Sequence, residues 1–382
     1  MDPLLGEELA PDQPERQALS EKDIKGFGSY KLICGGLTFI VLTVGIFWYQ
    51  FYQIPAGTRA PVWGQLQWDY LFWLLLFLPI EPFASGLRMW VIARVLKPGV
   101  SLWTCLKAEC ANIGVAILTP SQTGGGVGQI YMLSRGGLSL GTALTVTLIS
   151  FLGSVVVLLF IGIHSLLIAK VDRLGIFFQG AFFVFFLIFA LLLLVLFWPG
   201  SLRFLISGIN RGIQKICGKT LSRKNISLPQ NSPRVRLMDF LNDQSQKLID
   251  LCYLHQKNMH RFFNLNRFSF LWICLLSFVF MLARCFIAFL CLRFLGIEAP
   301  RLGNVIETQL NLIFLIYFAP TPGSSGLAEG ASMLIMDSFI PTGFVPYYHL
   351  LWRTSTLYLP AVAGLLFLSW AIFKHARKAA GR

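Results

Sequence analysis

Long apolar runs, separated by short polar stretches, make up most of this chain. Six of them approach or exceed the roughly 20 residues that a helix needs to cross the hydrocarbon core of a bilayer. The runs lie near residues 32–50, 69–93, 143–169, 175–198, 268–291 and 345–373. Composition agrees, because 55% of the residues are hydrophobic and only 13% are charged, about half the charged share of a soluble domain. The pattern predicts an all-α polytopic membrane protein with about six full transmembrane helices.

Two further apolar stretches are interrupted by a repeated pattern of Pro and Gly. The first contains Thr119-Pro120, Gly124 and Gly128, and the second contains Thr321-Pro322, Gly326 and Gly330 at the same spacing. A break of this kind inside apolar sequence is tolerated only where the backbone is buried in protein or lines a cavity. In secondary transporters, matching breaks in the two halves of a chain indicate the substrate site.

The distribution of charge sets the predicted topology. Residues 199–267 form a polar insert with twelve Lys and Arg against three Asp, which explains most of the net charge of +14 without a nucleic-acid partner. Because cytoplasmic segments carry such an excess of Lys and Arg, we place the insert and both termini in the cytoplasm. Residues 103–135 must then begin and end on the cytoplasmic side, and residues 302–340 on the outer side. This predicts two opposed re-entrant hairpins in an inverted repeat.

The predicted organisation has five parts. They are a disordered cytosolic tail (1–30), a first transmembrane half (31–198), the basic insert (199–267), a second transmembrane half (268–375) and a short cytosolic tail (376–382). The acidic first 30 residues are atypical of a cleaved signal peptide. Within the insert, residues 234–263 read as an amphipathic helix that rests either on protein or on the anionic inner leaflet, or that links the halves without touching lipid.

The hairpin tips are the first candidates for a binding site. Half-helix ends present free backbone amides to an anion, and Pro and Gly allow the backbone to line a path. The candidates are Thr119, Pro120, Gly124, Gly125, Gly126 and Gly128 in the first tip, and Pro322, Gly323 and Gly326 in the second. The alternative is that these residues only permit tight turns and close helix packing.

Ionisable residues inside apolar sequence are the second group of candidates, because such residues usually face a partner or an aqueous cavity. They are Glu81, Arg88, Glu109, Arg284, Glu307, Glu329 and Arg353. Glu329 lies in the second tip, where it would contact a cationic headgroup or carry a proton. Arg353 would either neutralise Glu329 or bind a lipid phosphate. Arg88 and Arg284 are further candidates for the phosphate.

The chain carries no convincing catalytic motif. Gly137-Leu-Ser139-Leu-Gly141 matches a nucleophile elbow only in letters, since nothing predicts the strand, turn and helix that this motif requires. Gly212 to Thr220 has one residue too many between its glycines for a phosphate-binding loop. The five His residues show no metal-ligand spacing. We therefore expect no enzyme activity, no metal and no cofactor.

Several motifs resemble those of the lysylphosphatidylglycerol synthase/flippase-like transmembrane family. The carriers are Ala319-Pro320-Thr-Pro322-Gly323-Ser-Ser-Gly326-Leu-Ala-Glu329, Trp352-Arg353-Thr354 with Tyr358, Pro360 and Gly364, Gly124 to Gly128 with Tyr131, Leu133, Arg135 and Gly137, and Arg88-Met-Trp90. The likeness covers roughly residues 30–375. The chain departs from the pattern at Ser324, where a second Gly is usual, and it lacks the Arg often found near residue 150.

The resemblance implies movement of lipids between leaflets, of aminoacylated phosphatidylglycerol in one branch and of polyprenyl-linked sugars or other polar lipids elsewhere. It also implies that the soluble aminoacyl-transfer domain of the synthase branch is absent, since the chain ends at Arg382. We expect a lipid flippase of the bacterial inner membrane whose partners are membrane lipids, anionic or polyprenyl-linked ones among them. The alternatives are a membrane scaffold that recruits a soluble glycosyltransferase or another copy of itself, and a membrane-embedded lipid-modifying enzyme.

Overall fold

The computed structural model shows an all-helical protein. The structure describes residues 29–55, 61, 63–119, 122–167, 175–197, 208, 233–265, 268–298, 301–317, 319–336 and 339–380. Within these residues the regular elements are helices, and no strand occurs. This confirms the predicted all-α class. The predicted N-terminal tail lies largely outside the described residues, and so do Pro120 and most of the insert before residue 233, whereas residues 376–380 of the predicted C-terminal tail continue the last helix.

The described residues of the first half form seven helices. They are α1 (Ser29–Tyr52), α2 (Trp68–Phe77), α3 (Ile80–Leu96), α4 (Leu102–Ala116), α5 (Gly125–Arg135), α6 (Leu140–Leu167) and α7 (Gly175–Phe197). A long helix, α8 (Pro233–Leu265), follows in the insert. The second half contains α9 (Ser269–Phe294), α10 (Leu302–Ile316), α11 (Leu327–Met336), α12 (Val345–Arg353) and α13 (Leu359–Ala380). Short 3₁₀ turns lie at Trp63–Gln65, Pro322–Ser324 and Thr342–Phe344, and Thr354–Tyr358 forms a π-helical turn.

Five helical stretches of the described chain are long and apolar enough to cross a membrane. They are Ile33–Tyr52, Trp68–Leu96, Leu140–Leu167, Ser269–Phe294 and Thr342–Lys374. Each coincides with one of the predicted spans, and together they establish a multi-pass membrane protein. The remaining predicted span, 175–198, coincides with the 23-residue helix α7, which is not among these five. The total of six spans therefore stays a prediction.

The same order of elements occurs twice. Helices α3 to α6 form a long helix, a 15-residue helix, a break, a short helix and a further helix. Helices α9 to α12 follow the same order. At 1.5 Å per residue, 15 residues reach only about 22 Å, less than the ~30 Å hydrocarbon core. This length agrees with the two predicted hairpins. Their entry from opposite sides of a membrane, and the inverted sense of the repeat, remain predictions.

Small residues allow α4 to pack closely against its neighbours. A Cβ atom at Gly364 of α13 would lie 1.7 Å from the carbonyl oxygen of Cys110, and one at Gly114 would lie 2.9 Å from the nitrogen of Leu365. Backbone can approach backbone this closely only where side chains are missing. The crossing of α4 with α13 therefore places the end of α4, and the break after it, against the second half of the chain.

The second part of α8 packs on α6. The His255 Nδ1 and Thr145 Oγ1 atoms are 3.0 Å apart, and Asn258 Nδ2 donates to Thr142 Oγ1 over 3.3 Å. Leu254 fills the space beside Gly141. Of the alternatives predicted for the amphipathic helix, the structure shows that this part of α8 rests on protein. Burial lowers the pKa of His255 to about 4, so the ring is neutral at physiological pH.

Candidate functional site

The two Pro/Gly breaks meet each other. Gln122 in the first break donates from Nε2 to Oγ of Ser324 in the second, over 2.7 Å, and the two residues are 202 positions apart. This is the offset of the repeat, so equivalent positions of the two halves touch. Both residues have a left-handed backbone, with φ of 55° and 57°. A contact between equivalent positions is the kind that a two-fold relation produces.

Within the first break, Thr119 and Gly124 form the turn. The Gly124 amide donates to Thr119 Oγ1 over 2.9 Å, and a Cβ atom at Gly124 would lie 2.5 Å from Thr119 Cγ2. Gly125 and Gly128 belong to the α4–α5 interface, because their Cβ atoms would lie 2.9 Å from the carbonyl oxygens of Asn112 and Ala111. Packing thus accounts for four of the predicted tip residues. Gly126, in contrast, lines the cavity described below.

The second break is a single 3₁₀ turn, Pro322–Ser324, followed by α11. Gly323 has φ of 58°, and a Cβ atom there would lie 2.8 Å from Cε2 of Phe39. Gly326 has φ of 83°, and its amide donates to Oε2 of Glu329 over 2.7 Å. A Glu at the third position of a helix that accepts a hydrogen bond from the amide of the residue just before the helix forms half of a capping box. Pro322 is buried beneath this turn.

Glu329 and Arg353 form a buried ion pair. Arg353 Nε lies 2.6 Å from Glu329 Oε1, with only 5% and 0% of the two side chains exposed. The contact is one of charge, since neither atom has an aligned hydrogen bond. Arg353 Nη2 also donates to the Gly323 carbonyl over 2.7 Å. Of the two roles predicted for Arg353, the structure shows the neutralisation of Glu329, and the pair ties α12 to the second break.

A cavity of about 550 Å³ lies between the two breaks. Both halves contribute to its walls, which are mainly apolar and carry a few polar groups. Three of the predicted arginines, Arg88, Arg284 and Arg353, line it together with Gly126 and Gly323. Glu329 is not among the lining residues. It lies behind Arg353, so the acid that was predicted to contact a cationic headgroup or carry a proton instead supports a cavity residue.

Arg284 of α9 and Arg88 of α3 both line the cavity, but they differ in their hydrogen-bond partners. Arg284 is paired with Glu81, to which both its Nε and its Nη2 donate. Arg88 is 6% exposed and donates its hydrogen bonds to hydroxyls, with Nη1 donating to Ser154 and to Ser277 (2.8 Å). Its Nη2 donates to Ser85 over 3.0 Å. Its guanidinium carbon also lies 5.8 Å from the centre of the Phe280 ring.

Several cavity residues escaped the sequence analysis as site residues. Glu109 was recognised only as an ionisable residue in apolar sequence, whereas it lines the cavity and accepts a 3.1 Å hydrogen bond from Gln129. Gln122 and Tyr317 were not singled out, and Ser324 was noted only as a departure from the family pattern. The signal available for Gln122 and Ser324 was their equal place in the repeat. Ser154, in contrast, is an ordinary residue of an apolar helix until the fold places it beside Arg88.

Comparison with protein-family models shows which family the chain belongs to. The family model for the lysylphosphatidylglycerol synthase TM region matches residues 36–364. The chain belongs to this family. No curated protein and no solved structure gives a significant match. In this member of the lysylphosphatidylglycerol synthase TM family, the segments that carry the likeness, Gly124–Gly128, Gly323–Glu329 and Arg353, lie at or directly behind the cavity.

Proposed function

We propose that this protein is a lipid flippase that moves a polar, phosphate-bearing lipid between leaflets. The observation that carries the proposal is the cavity between the two breaks, which is lined by three guanidinium groups inside a helical membrane protein. Buried arginines in membrane segments are costly and usually belong to a substrate path. Guanidinium groups also match the geometry of phosphate oxygens.

The dimensions of the cavity suit a headgroup. A volume of about 550 Å³ falls in the usual range for small-molecule sites, roughly 300–1,000 Å³. In our proposal the headgroup enters the cavity while the acyl chains stay in the surrounding lipid. The backbone at Gly126 and Gly323 leaves room on the wall, and Arg353, held by Glu329, contributes a guanidinium to the wall from the second half.

The two breaks provide the element that would move. Gln122 and Ser324 are in contact across the repeat. Separation of the two residues would open the cavity toward the face of the membrane that their contact closes. A pair of hairpins that open in turn permits access from one leaflet and then from the other, as in transporters built from repeats around a fixed site. Lipid movement of this kind follows the gradient of the lipid unless a second solute is coupled to it.

Leaflet exchange in liposomes tests the proposal. The purified protein is reconstituted with labelled phospholipids, and the fraction of label that an impermeant quencher reaches is followed over time. We expect wild type to exchange lipid, and Arg353→Ala and Glu329→Gln to exchange it several times more slowly. Arg94→Gln, which removes an exposed arginine of α3, is the matched control. Wild-type rates in both variants would contradict the site.

The same preparation separates the alternatives. A scaffold would give no exchange above empty liposomes while binding a soluble partner through residues 199–267. A lipid-modifying enzyme would change the mass of the lipid during the assay.

A further inference from the structure

The surroundings of Arg88 leave its charge without a counter-ion. In the described residues, no carboxylate oxygen lies within 4.0 Å of an Arg88 nitrogen. Three serines, Ser85, Ser154 and Ser277, hold the guanidinium in place. Hydroxyls supply hydrogen-bond acceptors but no charge, so a buried cation remains, which is expensive unless something else pairs with it.

The hydrogen bonds of Arg88 also leave one edge free. A guanidinium has five N–H donors, and Nη1 uses both of its own on Ser154 and Ser277. Nη2 uses one on Ser85, and Nε has no partner although it is buried. The remaining donors are Nε–H and one Nη2–H, and the Nε and Nη2 atoms flank one edge of the guanidinium plane. This edge is the fork that binds two oxygens of a phosphate.

Glu109, on the neighbouring helix α4, is a buried acid without a basic partner among the described residues. Its side chain is 3% exposed, and it accepts one hydrogen bond, from Gln129 Nε2. Across the described part of the chain, no Lys or Arg nitrogen lies within 4.0 Å of its carboxylate. Arg88 and Glu109 influence each other electrostatically, but they do not form an ion pair. The carboxylate is therefore a second buried charge that faces the cavity without a counter-ion.

The other charges of the cavity wall are already balanced. Arg284 is neutralised by Glu81 and Arg353 by Glu329. What the wall presents to a ligand is thus one cation and one anion, Arg88 and Glu109, on the adjacent helices α3 and α4. A purely anionic ligand would leave Glu109 unpaired and repelled, and a purely cationic ligand would do the same to Arg88. Only a ligand with both charges completes the site.

We propose that the cavity binds a zwitterionic headgroup that carries one phosphate and one primary ammonium group. This assignment rests on the proposed lipid transport and names its substrate class, an aminophospholipid. The phosphate binds to the free edge of Arg88. The ammonium group binds to Glu109, and Gln129 holds that carboxylate in position.

Lipid binding with matched acyl chains tests the assignment. Wild-type protein in detergent is titrated with phosphatidylethanolamine, with anionic phosphatidylglycerol and with a cationic trimethylammonium-propane lipid that has no phosphate, and bound lipid is counted by native mass spectrometry. We expect phosphatidylethanolamine to bind about tenfold more tightly than either, since a hydrogen-bonded charge contributes roughly one factor of ten or more. Soluble phosphoethanolamine in excess should compete only weakly if the acyl chains contribute to binding, and strongly if the ligand is a free phosphate compound.

Two variants assign the charges to their residues. Glu109→Gln should remove the preference for phosphatidylethanolamine over phosphatidylglycerol, and Arg88→Gln should weaken both about tenfold or more. Glu307→Gln and Arg94→Gln, which neutralise exposed residues, are the matched controls. Because Arg88→Gln removes a buried hydrogen-bonded group, its folding is checked by size-exclusion chromatography. If Arg88→Gln does not fold, the lipid selectivity of Glu109→Gln decides the question.

The outcomes separate this inference from the proposed function. A wild-type preference for the anionic or the cationic lipid, or an unchanged preference in Glu109→Gln, overturns the zwitterionic assignment even if lipid exchange occurs. Selective binding of phosphatidylethanolamine without any exchange in liposomes supports the assignment and overturns the flippase.

Discussion

Gln122 and Ser324, which occupy equivalent places in the two repeats, are joined by a 2.7 Å hydrogen bond and share a left-handed backbone. A non-glycine residue in this conformation is strained by about 1 kcal/mol or more. Strain that occurs twice at the same position of a repeat, at the wall of the cavity, is best explained by a requirement for close approach of the two breaks. It makes this contact the natural place to test whether the breaks move.

Covalent closure of the contact should stop transport. We expect a Gln122→Cys, Ser324→Cys protein to lose lipid exchange when its two thiols are bridged by a short bifunctional reagent, because the breaks can no longer separate. The measurement is exchange in liposomes with and without the reagent. Each single cysteine variant, treated in the same way, is the control for the native cysteines. A bridged protein that exchanges lipid at the rate of the untreated one would show that the contact stays closed during transport.

Ser324 should separate strain from hydrogen bonding. Ser324→Gly relieves the strained backbone but loses the hydrogen bonds to Gln122 and Ile316, so the two effects, each about 1 kcal/mol, should nearly cancel. Ser324→Ala keeps the strain and loses the bonds, and it should lower the stability by about 1–2 kcal/mol. Thermal unfolding in detergent measures both. Equal melting temperatures for the two variants would refute the role of strain.

The ion pair between Glu329 and Arg353 should be sensitive to the loss of one partner. Glu329→Gln leaves Arg353 buried with one carbonyl partner, and a broken buried pair typically costs about 3–5 kcal/mol. The double variant Glu329→Gln, Arg353→Gln should be less destabilised than the sum of the single changes. Thermal unfolding of wild type, both single variants and the double variant provides the cycle. Additive losses would mean that the two charges do not interact.

The crossing of α4 with α13 should not tolerate a single methyl group. Gly364→Ala places a carbon 1.7 Å from the Cys110 carbonyl oxygen, so the helices must separate, with a loss of about 1–3 kcal/mol or more. Gly45→Ala in α1 is the matched control, since nothing lies within 4 Å of its added carbon. In the control the better helix propensity of Ala should leave the protein equally stable or about 0.5–1 kcal/mol more stable. Melting temperatures that rank the two variants the other way would contradict the packing.

Acid should loosen α8 from α6. Burial lowers the pKa of His255 from 6.5 to about 4, whereas an exposed histidine takes up a proton near pH 6.5. The undocked state therefore binds more protons between pH 6.5 and 4, so docking is fully stable above pH 6.5 and weakens as the pH falls through this interval. Hydrogen exchange of residues 251–263 at pH 7 and pH 5, corrected for the intrinsic rate, measures it. His255→Gln should lack the pH dependence, and an equal effect in that variant would exclude His255 as the cause.

How far the site could be predicted differs between its charged residues. Pairing with Glu329 was one of the two roles predicted for Arg353, because both residues interrupt apolar sequence near a Pro/Gly break, and the structure pairs them. Glu109 interrupts apolar sequence in the same way, yet nothing local distinguishes a carboxylate that has a counter-ion from one that lacks it. Gly125 and Gly126 are neighbours in the chain, but one packs on α4 and the other lines the cavity, because successive residues of a helix point in different directions.

The sequence by itself determined the class of this protein, since the apolar runs, the two Pro/Gly breaks and the family motifs all follow from the order of residues. These features are local, and they arise because a helix in lipid needs a minimum apolar length and because backbone is interrupted there only at a cost. Only the tertiary structure decided which charges remain unbalanced. Arg88 meets serines from its own helix and two others, while Arg284 and Arg353 meet acids. Pairing between distant helices depends on how they pack, and packing brings together residues that no spacing in the chain relates.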